Sequence, residues 1–151
     1  MPSQKILGIV LITGSIIFLI AAFHPVSKIF GEPDSSKRLE IILNEQAGWN
    51  FSQLLFIIGS FIVAIAVGLI SHHFRNIPGS TLAYLGSVML LAGALLWSIH
   101  CYLRFQDPSA FVSGSLPGWH FLLYTFLTMA GLALLDICWQ DQRFVVGWDG
   151  R

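Results

Sequence analysis

The chain has little charge, few cysteines and no excess of either sign. Only 11% of its 151 residues are Asp, Glu, Lys or Arg, whereas a soluble domain carries about 25%. Much of the surface must therefore meet something other than water. Lys plus Arg equals Asp plus Glu at 8 each, so there is no basic field to hold nucleic acid. Cys101 and Cys138 stand alone, with no CxxC pair and no metal-type spacing, which excludes a disulfide framework. No internal repeat or low-complexity tract is present.

Hydrophobic residues fill the gap, at 55% and a mean hydropathy of +0.73. They form four long runs, at 6–23, 51–71, 81–103 and 119–139, none with an acid or base before its final turn. About 20 apolar residues in a helix cross the roughly 30 Å of hydrocarbon in a bilayer. Each run qualifies, so the chain reads as all-α: an antiparallel transmembrane four-helix bundle, one membrane domain over 1–151. The first run follows Lys5 but exceeds the roughly 7–15 residues of a secretory h-region, and reads as a retained span.

Four spans put both termini on one side, here side B, with "HHFRNIPGS" (72–80). Side A holds residues 24–50 and 104–118. Lys and Arg number four on each side: Lys5, Arg75, Arg143 and Arg151 against Lys28, Lys37, Arg38 and Arg104. The compact basic 72–80 connection favours a cytoplasmic side B. On side A, "KRLEIILNEQA" sets Leu39, Ile42, Leu43 and Ala47 at helical spacing. It predicts a headgroup-plane helix over about 36–47, capped by Ser35 or Ser36 and ended by Gly48. Asn50 and Gln53 resemble a capping box for the second span. Asp107-Pro108 reads as a cap and first helical position. Trp49, Trp119, Trp139 and Trp148 suit aromatic belts.

Small residues should mark the helix contacts, because lipid tails leave close packing as the main attraction between helices. Ser60, Ala64, Gly68 and Ser71, with Gln53, form one such stripe on the second span. On the third, Ala83, Ser87, Ala94 and Ser98 lie beside a line of Gly86, Gly93, Trp97 and His100. On the fourth the line is His120, Tyr124, Thr128 and Gly131.

Antiparallel order brings His24, His100 and His120 to a similar depth near side A. Three readings compete: interfacial imidazoles bonded to backbone or headgroups, a haem or metal-ion site, or a protonatable group in a transport path. With no His-x-x-x-His, no Glu-x-x-His and no carboxylate partner, the first is favoured over a site built on His100, His120 and His24. A shared site requires the His100 and His120 rings to face inward together. His72 and His73 are adjacent and point about 100° apart on a helix, so they read as an interfacial basic cluster. No nucleophile has a base in register, and no catalytic residue is assigned.

The "AAFHP" that closes the first span, "AGWNFSQLLFIIG" and the basic exit "SHHFRN" resemble those of small, uncharacterised bacterial four-span integral membrane proteins. The resemblance covers the first two spans and the overall plan. It implies the bacterial inner (cytoplasmic) membrane and adds no catalytic residue. The sequence reading is thus a non-enzymatic structural or accessory component in the lipid bilayer, self-associating or bound to another membrane protein. The alternative is a haem- or metal-binding redox protein.

Overall fold

The computed structural model describes residues 4–73, 75–76 and 80–148, with side chains described through Cys138; Trp139, Arg143 and Trp148 lie outside that part. Every regular element among these residues is helical. Four long helices, α1 (Gln4–Ala22), α3 (Gln46–His73), α4 (Ser80–Gln106) and α6 (Trp119–Trp148), are joined through two short ones, α2 (Ser35–Asn44) and α5 (Pro108–Ser113), and a 3-10 turn over Pro25–Gly31. All four long helices contain a stretch long and apolar enough to cross a membrane.

They pack in the order α1, α3, α4, α6, each interface closing on small residues. A Cβ on Gly59 of α3 would lie 2.8 Å from Phe18 N and 3.0 Å from Gly14 O of α1. Ser52 donates its hydroxyl proton to Ala21 O at 3.0 Å. Between α3 and α4, Ala64 packs with Leu90 and Ala94, and the Ser71 and Ser87 hydroxyls share a hydrogen bond of 2.7 Å. Between α4 and α6, Gly86 and Gly131 oppose each other, and a Cβ on either would meet the other's carbonyl oxygen at 2.7 or 2.8 Å. In all three pairs, numbers rise along one helix as they fall along its neighbour.

Gly68 departs from the stripe expected of it. A Cβ there would have no neighbour within 4 Å, because the helix turns about 100° per residue and carries Gly68 away from the face that Ala64 and Ser71 present to α4. The closest approaches are made instead by Gly14, Gly59, Gly86 and Gly131. The first and last long helices, α1 and α6, share no comparable interface. A groove of about 190 Å³ lies among residues of all four long helices, lined by Phe18, Ser60, Ala64, Leu90, Tyr124 and Thr128 among others.

The short elements cover one end. Val26, Ile29, Ile42, Trp49 and Val112 form a small core there, with Leu39, Ile41 and Phe111 packed against it. The α2 face bearing Leu39 and Ile42 thus meets protein, while Leu43 stays exposed. The α2 cap is Asp34, which accepts from Ser36 N and Lys37 N; neither serine plays that part. Glu45 closes α2 and is followed directly by α3, so Asn50 and Gln53 lie inside a helix and form no capping box. Gly48 does not stop a helix either. It makes room for the His24 ring, whose Cε1 would lie 2.8 Å from a Cβ. Asp107 caps α5 as its sequence indicated, and Gly114 ends that helix at φ 73°. Bonds from the Ser109 hydroxyl and Ala110 N–H hold the Asp107 carboxyl below its usual range.

Candidate functional site

The aromatic centre of the molecule is Trp97, on the α4 face shared by α3 and α6. It stacks on Tyr124 of α6 at 4.7 Å and meets Phe56 of α3 edge-on at 5.7 Å. Phe18 of α1 lies 6.3 Å away. One residue thus touches all three other long helices. A position at helical spacing before His100 and Arg104 was well suited to this, since residues three, four and seven apart share a helix face.

From Trp97 the α4 face runs toward the capped end through His100, Cys101 and Arg104, all buried. His100, at 6% exposure, and His120, at 7%, both point into the protein. The His100 ring centroid is 5.8 Å from that of Trp97 and 5.9 Å from that of Phe121. His120 stacks under Trp119 at 3.6 Å, and its Nδ1 lies 3.3 Å from Pro117 O. His24 is used elsewhere. Its Nδ1 accepts from Val26 N at 3.3 Å and so caps the 3-10 turn, with its ring against Gly48 and Phe51. No three His, Cys, Asp or Glu side chains gather closely enough to hold a metal ion among the described residues.

Arg104 was not singled out by sequence reasoning, and it is the most informative residue here. It is only 8% exposed. Its guanidinium carbon lies 5.3 Å from the Trp97 ring and 4.6 Å from the Phe111 ring, distances at which a cation is attracted to a π face. Its backbone carbonyl accepts the Trp49 indole N–H at 3.3 Å, so Trp49 is a buried clamp between α3 and α4 and not a belt residue. Among the described residues no carboxylate pairs with Arg104: Glu45 is taken by Lys28 at 2.6 Å, and Asp107 is turned toward α5.

Several polar atoms around this charge have no hydrogen-bond partner: Arg104 Nε, Trp97 Nε1, His100 Nδ1 and both amide atoms of Gln53. Gln53, 2% exposed, also lines an apolar groove with Asn50, Leu54, Cys101 and Tyr102. Buried polar groups in folded proteins are nearly always satisfied, so each exception asks for an explanation. Three of these exceptions, on Trp97, His100 and Arg104, lie on one face of α4.

At the other end, His72 links α3 to α4. Arg75 Nη1 lies 3.2 Å from His72 Nε2, and the ring's Nδ1 is 2.8 Å from Tyr84 OH. Since Arg can only donate, Nε2 accepts and Nδ1 carries the proton. The basic exit of α3 is therefore a structural clasp.

No protein-family model, curated protein or solved structure matches the chain.

Proposed function

We propose that the chain is a multi-pass membrane protein of the bacterial cytoplasmic membrane, built as an antiparallel transmembrane four-helix bundle with both termini in the cytoplasm. It acts as a non-enzymatic accessory component that associates with itself or with another membrane protein. The observation that carries this reading is the distribution of large apolar side chains. Ile9, Ile12, Ile65, Val88, Phe126 and Met129, from all four long helices, are exposed, while small and aromatic residues fill the seams. Water would penalise such a surface heavily; lipid does not.

Reporter fusions test the arrangement. A reporter after Arg151 is expected to be active in the cytoplasm, and one inserted near Asp34 on the opposite side. Recovery of the protein in the soluble fraction after alkaline carbonate would defeat the membrane assignment. A C-terminus outside the cell would reverse only the orientation.

A second reading, one haem or metal ion held by His100 and His120, draws support from the burial of both rings and the unpaired His100 Nδ1. Its test is an absorption spectrum of the detergent-purified protein, with metal analysis. A Soret band lost in both His100→Ala and His120→Ala is the result it requires, and a featureless, metal-free preparation rejects it.

A further inference from the structure

Arg104 carries a charge that burial cannot remove, since a guanidinium does not give up its proton in proteins. A buried cation is costly unless it is paired and hydrogen-bonded. The rings of Trp97 and Phe111 supply part of the compensation. They supply no hydrogen-bond acceptor, and no side-chain oxygen among the described residues bonds to this guanidinium.

The unsatisfied atoms define what is missing. Arg104 Nε and Trp97 Nε1 are obligate donors. With His100 Nδ1 between them they occupy one face of α4. A complementary group must therefore bring acceptor oxygens and negative charge. Arg recognises phosphate and carboxylate through two parallel N–H bonds from its planar fork. The position narrows the choice. Arg104 stands in the last turn of α4, beside the cap formed by α2 and α5, which is headgroup depth if α4 crosses a bilayer. The anion concentrated at that depth is the phosphate of the lipids themselves. A zwitterionic headgroup would also bring an ammonium, and both nearby acids are already engaged, Glu45 by Lys28 and Asp107 by its own helix.

We propose that Arg104, seated on the Trp97 ring, binds the phosphate of an anionic phospholipid in the leaflet next to α2 and α5. The proposal rests on the transmembrane reading above.

The test uses the full chain in vesicles of phosphatidylcholine and phosphatidylglycerol, followed by native mass spectrometry of the lipid retained after transfer to detergent. Wild type is expected to retain phosphatidylglycerol over phosphatidylcholine by about tenfold, because both offer the phosphate but only choline sets a second cation near the guanidinium. Arg104→Gln should bring the ratio near unity. Arg104→Lys should fall between, because an ammonium keeps the charge without the fork. Lys37→Gln, which removes an exposed cation of α2, should leave the ratio unchanged. If Arg104→Gln fails to fold, the wild-type ratio and Arg104→Lys still decide.

Four results overturn the proposal: no preference in wild type, a preference that survives Arg104→Gln, equal loss in Lys37→Gln, or displacement of the lipid by millimolar inorganic phosphate. The last would assign the site to a soluble anion. An acidic side chain of a co-purifying membrane protein found on Arg104 would likewise replace the lipid. Failure of the transmembrane reading looks different, since the protein would then not float with vesicles of either composition.

Discussion

Gly86→Leu is expected to lower the stability of the detergent-solubilised protein by about 1–3 kcal/mol, the usual cost of overpacking a tight contact, while Gly68→Leu leaves it unchanged or slightly raised. A Cβ at Gly86 would stand 2.7 Å from the backbone oxygen of Gly131, and one at Gly131 would stand 2.8 Å from that of Gly86. Backbone atoms cannot rotate aside as a side chain can, so α4 and α6 must separate. Separation costs contacts along the whole interface, since close packing holds helices together in lipid and detergent. At Gly68 there is nothing within 4 Å of the same atom, and Leu is the better helix former by up to about 1 kcal/mol. Placing Leu at both positions cancels most of the propensity difference. Thermal unfolding of the two variants side by side is the measurement. Equal midpoints would show that the α4–α6 contact is not as close as described.

Trp97→Ala should be the most damaging single substitution, at about 3–5 kcal/mol for truncating a buried large aromatic. The ring contacts Phe18, Phe56 and Tyr124, one from each of the other long helices, and also faces Arg104. Its loss leaves a void where the four helices meet and strips the guanidinium of one of its two π faces. Trp97→Phe provides the control. In lipid-free detergent the indole Nε1 has no protein partner, so Phe should cost much less than Ala, by packing volume alone. Chemical denaturation of the two variants checks this. A Phe variant as unstable as the Ala variant would mean that the indole N–H is already bonded within the protein.

How far these residues were legible in advance depends on the period of the signal. The long apolar runs declare their helices because a run of that length has few other stable forms. The line Gly86, Gly93, Trp97, His100 was readable as a contact face for the same reason, since small and large residues recur at helical spacing and are buried together. A shared site required His100 and His120 to face inward, and both are buried. Gly68 misled because a stripe drawn at every fourth residue drifts around a helix that repeats every 3.6. Arg104 was passed over because it lies near the end of its run and looked like the start of a polar connection. Its spacing of four from His100 and seven from Trp97 was the available clue.

The sequence by itself determined the helical class, the four long apolar segments and part of the small-residue seams, because each follows from local composition and helical period. Tertiary structure alone decided which glycines touch, that Gly48 seats His24 away from the other two histidines, and that Trp49 is a buried clamp and not a belt residue. It alone decided that Arg104 is buried between aromatic rings with no acid beside it. These outcomes depend on which residues of other helices arrive at the same place, and on the absence of a partner there, neither of which any single segment encodes.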